Sequence, residues 1–153
     1  MTPDRYVVPR ICALCREPRP LKNSHVISEF LYAGMYEAKH RFHVVQAGEQ
    51  YPWFEQKGYR EPLLCQECET KRSVWENHAH GVLTGTVALQ YKHEGSITWV
   101  SGIEYEPFKL FQLSTFWCAP VAKGDFFSKV RLGPHQEHIR KMLLAGDPAE
   151  PRP

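Results

Sequence analysis

The chain has 153 residues, enough for one domain with its own hydrophobic core. Its 42% hydrophobic and 24% charged residues are typical of a soluble globular protein, and no apolar run approaches the ~18 residues of a membrane-spanning helix. The net charge of +2 permits a nucleic-acid partner without requiring one. Because residues 1–5 lack the order of a secretory signal peptide, we expect a cytoplasmic protein.

The first half of the chain predicts short elements. After an extended lead-in, a strand over 21–27 is expected to carry His25. Apolar residues at helical spacing predict a short helix over 29–39. Two runs, 43–46 and 50–54, are separated by a turn glycine and predict a β-hairpin.

The second half predicts longer elements. Residues 69–80 contain neither glycine nor proline, which indicates a helix that stops at Gly81. The helix that follows Pro107 is apolar on most sides and is therefore expected to be buried. The other expected elements are strands over 84–91 and 97–105 and a last helix from Pro134.

Four of the five cysteines form two Cys-x-x-Cys pairs, Cys12 with Cys15 and Cys65 with Cys68. Four thiolates offered in this way suit tetrahedral zinc, and a reducing compartment favours metal over disulfides. The pairs are much further apart than the ~12–20 residues of an ordinary zinc finger or ribbon, so a shared ion would hold the intervening segment in place. The alternative is two unrelated pairs of buried thiols. Cys118 lies among apolar neighbours and is expected to be a packed, inert thiol.

The order of these motifs resembles a nuclease family. A Cys pair is followed by Ser24-His25, then by a second Cys pair, Glu69 and a helix, and this order is similar to that of the HNH endonucleases, the zinc-bound branch of the ββα-metal nucleases. The matching stretch runs from Cys12 to about Asn77, under half of the chain. The second half is similar to HNH-like proteins of bacteria and phages, where phage defence is one setting.

The resemblance implies a fold and a domain organisation. We expect an α+β protein with a zinc-stabilised ββα-metal lobe over residues 1–82. Residues 83–146 would add strands and two C-terminal helices to the same domain. A Pro-rich tail over 147–153 is expected to be disordered.

The resemblance also implies an activity, hydrolysis of DNA phosphodiester bonds. His25 matches the family's general base, which takes a proton from the attacking water. Glu69 falls at the family's helix ligand, and Glu61 is the nearest substitute for a missing middle asparagine, so both are candidate ligands of Mg²⁺ or Mn²⁺. Ser24 stands where the family commonly has a metal-binding Asp or His. These departures favour an alternative, a catalytically inactive HNH-like zinc module that binds nucleic acid or a protein partner in a larger assembly.

Each site residue also has a structural interpretation. His25 could be a buried histidine of the zinc lobe, and Glu69 could complement the helix dipole. Glu61 and Glu76 could be surface or ion-pair residues. Cations flanking the two Cys pairs are expected to form a rim that contacts phosphates, although they could equally be ordinary surface charge. These cations are Arg16, Arg19, Lys22, Arg60, Lys71 and Arg72.

Overall fold

The expected α+β class is confirmed by the structure, a computed structural model that describes residues 10–45, 47–56 and 58–149. This part of the chain contains three α-helices and four small antiparallel sheets of two strands each. None of its helices has the length and apolar character needed to cross a membrane. Most of the predicted lead-in and residues 150–153 of the predicted tail lie outside the described residues.

The first two sheets bring distant segments together. Strands β1 (Arg10–Ile11) and β2 (Pro18–Arg19) flank the first Cys pair. Strand β3 (Leu21–His25) pairs antiparallel with β6 (Arg60–Cys65), with His25 opposite Arg60. The end of β6 is buried through Leu63, Leu64 and Cys65, which anchors this ladder in the core.

Helix α1 (Gln66–Thr84) starts directly after β6 and completes a strand–strand–helix unit. It is longer than predicted, because Gly81 lies inside it and the helix ends at Gly85, which adopts the left-handed conformation with φ 80°. Gly81 is instead the position at which Val87 packs closely against α1. A Cβ atom there would lie 2.9 Å from Cγ2 of Val87.

The prediction of a helix over 29–39 is wrong. Two 3₁₀ turns, Glu29–Leu31 and Ala33–Met35, occupy the segment. Leu31 is 45% and Met35 62% exposed, so the apolar spacing does not form a buried stripe. Without tertiary packing on one face, a helix this short has little to stabilise it.

The hairpin predicted over 43–54 is present, whereas the strand expected over 84–91 is displaced to 90–94 because α1 runs on to Thr84. Strand β4 (Phe42–Val44) pairs with β5 (Trp53–Glu55), and their bounds lie within three residues of the predicted runs. Strand β7 (Gln90–Glu94) pairs with β8 (Ile97–Ser101), and this hairpin is exposed along its whole length.

The core is completed by α2 (Tyr105–Val121), which packs against α1 and α3 (His135–Ala145). Trp117 and Cys118 on α2 are almost fully buried. The burial of Cys118 confirms that it is packed, and it raises the pKa of the thiol, which disfavours the reactive thiolate. The helix starts two residues before Pro107, which lies in its first turn as expected.

Candidate metal centre and the polar site around His25

The four cysteines of the two pairs converge, and we call them the four-cysteine group. Their sulfur atoms all lie within 4.8 Å of one another, and Sγ of Cys15 lies 3.9 Å from Sγ of Cys65. A tetrahedron with metal–sulfur bonds of ~2.3 Å has edges of about 3.8 Å, so this spacing suits zinc. The group could therefore hold one ion, as the paired spacing predicts.

The local backbone orients these sulfurs. The amide of Arg16 donates to the carbonyl oxygen of Cys12 at 2.9 Å, and Arg16 has a φ of 64°, which closes a tight turn around the first pair. The amide of Cys65 donates to Sγ of Cys12 at 3.3 Å. Cys68 follows in the first turn of α1. The turn, the end of β6 and the helix start thus direct four sulfurs to one point.

The electrostatics of the group favour a bound cation. Burial raises the pKa of Cys68, and the neighbouring thiols Cys65 and Cys12 raise it further. Burial raises the pKa of Cys15 as well. Four thiolates this close repel one another, and a divalent cation is what stabilises them together.

His25 ends β3 and has a neutral imidazole at neutral pH. Burial lowers its pKa, and the nearby charge of Arg60 lowers it further. Its backbone oxygen accepts a hydrogen bond of 2.6 Å from Nη1 of Arg72, which ties the strand to α1. Within the described part of the chain, Nε2 of His25 is buried without a hydrogen-bond partner.

A carboxylate that the sequence analysis missed lies beside this imidazole. Oε2 of Glu29 lies 3.5 Å from Nε2 of His25 and accepts a hydrogen bond of 3.1 Å from Arg60. Oε1 of Glu29 accepts a hydrogen bond of 2.9 Å from the Tyr36 hydroxyl and lies 3.8 Å from Nε2 of His40. The hydrogen bond from Tyr36 keeps the pKa of Glu29 below its usual value. The available signal was the spacing, since Glu29 follows His25 by four residues.

Glu61 and Ser24 lie on the other face of the β3–β6 ladder. Because successive side chains of a strand alternate, the pair Ser24–Glu61 points away from the pair His25–Arg60. The Glu61 carboxylate accepts hydrogen bonds from the backbone amides of Lys123 and Gly124, 2.9–3.2 Å long. Oγ of Ser24 is buried and accepts one from the amide of Leu64. Both side chains therefore have structural contacts.

Glu69 lies in the first turn of α1, and among the described residues its Oε1 is buried without a hydrogen-bond partner. Its charge acts on the buried thiol of Cys118, together with those of Arg72 and Glu76. A metal-binding group here consists of three or more His, Cys, Asp or Glu side chains whose ligand atoms lie close together. Among residues 10–45, 47–56 and 58–149, the four cysteines form the one such group. In the part of the chain that the structure describes, the predicted Mg²⁺ or Mn²⁺ ligands Glu61 and Glu69 form no such group with His25, and the Glu61 carboxylate is bound by backbone amides instead.

The predicted cationic rim is largely engaged in contacts within the molecule. Arg16 pairs with Glu137, Arg19 with Glu67, and Arg60 with Glu29. Lys71 donates to the carbonyl oxygen of Leu144, and Arg72 is only 2% exposed. Lys22 is exposed on β3. Of these cations, Arg60 is the one beside the imidazole.

Comparison with known protein families, curated proteins and solved structures finds no match for this chain. The site therefore has to be interpreted from its own chemistry. What the geometry supports directly is an α+β module whose four cysteines could hold a metal ion such as zinc.

Proposed function

We propose that the chain is an HNH-like endonuclease that hydrolyses phosphodiester bonds of DNA, with His25 as its general base. The observation that carries this proposal is the position of a neutral imidazole at the end of β3, in a strand–strand–helix unit closed by the four-cysteine group. The order of the motifs supports the same assignment.

The surroundings of His25 suit proton transfer near phosphate. The His25 imidazole would take the proton of a water that attacks phosphorus, and the bond from phosphorus to the leaving oxygen would break, with that oxygen taking a proton from solvent. The Glu29 carboxylate would stabilise the imidazolium that results. Arg60, held by Glu29, would contact the charged phosphate oxygens. In this proposal His25 accepts the proton, and Arg60 neutralises the charge of the phosphate.

Metal enters the proposal in two roles. Cys12, Cys15, Cys65 and Cys68 would hold a structural zinc, which keeps β3 and the start of α1 in register. A catalytic Mg²⁺ or Mn²⁺ would be the second, and the assay varies it because the described residues give no group of three or more acidic or histidine ligands at His25.

The test is cleavage of supercoiled plasmid by zinc-loaded protein, with Mg²⁺, with Mn²⁺ and with neither. His25→Ala is expected to reduce the rate by about 10²–10⁴-fold, the usual contribution of a general base. The matched control is His93→Ala, since His93 is exposed on β7 and its ring contacts Thr98. Equal rates for wild type and His25→Ala, or no cleavage by wild type, would reject the proposal.

The second candidate is a non-catalytic zinc module that binds nucleic acid. It is favoured by the structural contacts of Ser24 and Glu61, which remove two expected participants from the site. Such a module would bind DNA with an affinity that falls steeply as salt rises, and it would leave the plasmid intact under all three conditions.

A further inference from the structure

A polar pocket of about 460 Å³ adjoins the site and is lined by Glu29 and Arg60 together with side chains that have no role in the chemistry described so far. It borders the face of β3 and β6 that carries His25 and Arg60, since Asn23 lies two residues before His25 and side chains on that face recur every second residue. Its lining residues are Asn23, Glu29, Lys39, His40, Gln56 and Arg60.

We propose that this pocket binds one unpaired nucleotide of a nucleic-acid strand, next to the phosphate that faces His25. The identity of the ligand rests on the proposed function, and the inference adds a substrate class to it. The substrate would then be a single-stranded nucleic acid, or a duplex with an unpaired nucleotide at the site.

The size of the pocket favours a single nucleotide over a duplex. A volume of about 460 Å³ falls in the ~300–1,000 Å³ range of pockets that enclose small ligands. A base inside a duplex can reach such a pocket only if it leaves the stack, and that step costs least where the base is already unpaired.

The charge of the pocket suits a phosphate. Lys39 and Arg60 place two permanent cations around one carboxylate, that of Glu29. That carboxylate is already bonded to Tyr36 and Arg60, so its charge is partly balanced from within the protein. The net charge of the lining is positive, which attracts an anionic backbone.

The remaining side chains suit a nucleobase. The amides of Asn23 and Gln56 each offer both a donor and an acceptor, as recognition of a base edge requires. The His40 ring stacks on Tyr36, with centroids 3.9 Å apart and 13° between the planes. The His40 side chain is 69% exposed, so its outer face can stack on a base.

The test is fluorescence anisotropy with a labelled oligonucleotide, either single-stranded or annealed to its complement, without added divalent ions. Zinc-loaded wild type is expected to bind the single strand at least about tenfold more tightly than the duplex. Gln56→Ala and Asn23→Ala should each weaken single-strand binding by about tenfold. The matched control is Gln90→Ala, which removes an exposed amide from β7 and should change nothing.

A second matched pair addresses charge. Lys39→Ala should weaken binding and reduce its dependence on salt, whereas Lys92→Ala, on the exposed hairpin, should do neither. Equal or tighter binding of the duplex, binding of neither form, or pocket variants that behave like Gln90→Ala would overturn the inference. A protein that nicks plasmid but fails this test loses only the pocket assignment. One that prefers single strands but cleaves nothing keeps the pocket and loses the nuclease activity.

Discussion

Oε2 of Glu29 lies 3.5 Å from Nε2 of His25. Glu29 begins the first 3₁₀ turn after β3, four residues beyond His25. The carboxylate favours the protonated imidazole, while burial and Arg60 oppose it. Because Glu29 also contacts Arg60, Tyr36 and His40, its carboxylate links the polar groups that surround the imidazole.

Replacing Glu29 by Gln is therefore expected to lower the pKa of His25 further, because the interaction that favours the imidazolium is removed. The measurement is an NMR titration of the His25 ring, which does not depend on activity. Glu94→Gln, on the exposed β7 hairpin, is the control and should leave the titration unchanged. A rise in the pKa of His25 in Glu29→Gln would contradict this account of the pair.

The lowered pKa of His25 also makes stability depend on pH. The unfolded chain binds a proton at this residue near pH ~6.5, whereas the folded protein binds it only at lower pH. The free energy of unfolding should therefore fall as the pH drops from about 6.5 through the folded-state pKa of His25. Urea denaturation of wild type and His25→Ala across that range checks the sign, and the slope should be smaller in the variant.

Removal of the metal is expected to unfold the β3–β6–α1 unit. We expect one zinc per chain by metal analysis, and Cys65→Ser should lose it together with most of the cooperative thermal transition, because binding energy at such sites contributes directly to folding. Cys118→Ala is the matched control, since that thiol lies apart from the four-cysteine group. It should retain one zinc, and retention of full zinc by Cys65→Ser would contradict the site.

Arg72 is expected to be a stabilising residue and not a contact for nucleic acid. It is 2% exposed and donates to the carbonyl oxygen of His25 at 2.6 Å. Arg72→Ala should reduce the free energy of unfolding by about 1.5–3 kcal/mol, the range for a hydrogen bond from a charged group. Arg131→Ala removes an exposed guanidinium and should cost less than about 0.5 kcal/mol by the same denaturation measurement.

Gly81 should not tolerate a side chain, although helices generally favour alanine. The added Cβ would lie 2.9 Å from Cγ2 of Val87, so Gly81→Ala is expected to cost about 1–3 kcal/mol. Gly34→Ala is the contrasting variant, because nothing lies within 4 Å of the Cβ position there. It should be neutral or stabilising by up to about 1 kcal/mol. Equal thermal shifts for the two variants would contradict the close packing of α1 on Val87.

The sequence predicted the features that depend on local chemistry. Two Cys-x-x-Cys pairs predicted a single metal-binding group because thiols at that spacing have few other uses in a reducing compartment. The helix after Pro107 and the hairpin that becomes β4 and β5 were also apparent from the sequence, since proline, glycine and apolar spacing act over a few residues.

Features that depend on packing were not predictable in this way. Gly81 reads as a helix end in the sequence, but Val87 packs against it and the helix continues. The distance of Glu61 from Cys65 along the chain suggests a ligand, but the alternation of β6 turns its carboxylate toward the amide of Lys123. The role of Glu29 depends on a 3₁₀ turn that brings its carboxylate back to His25, and the apolar spacing of 29–39 predicts a helix there instead.

The ladder between β3 and β6 also has a consequence for how this chain can change in length. The segment that leaves at His25 returns at Arg60, and these two residues are direct partners, so its ends are fixed side by side. Doubling the length of a loop closed in this way costs only about 0.6 kcal/mol of chain entropy. Insertions at the turn between β4 and β5 should therefore be tolerated without disturbing the sulfurs or α1, which makes that turn a suitable place to graft a tag or a reporter domain.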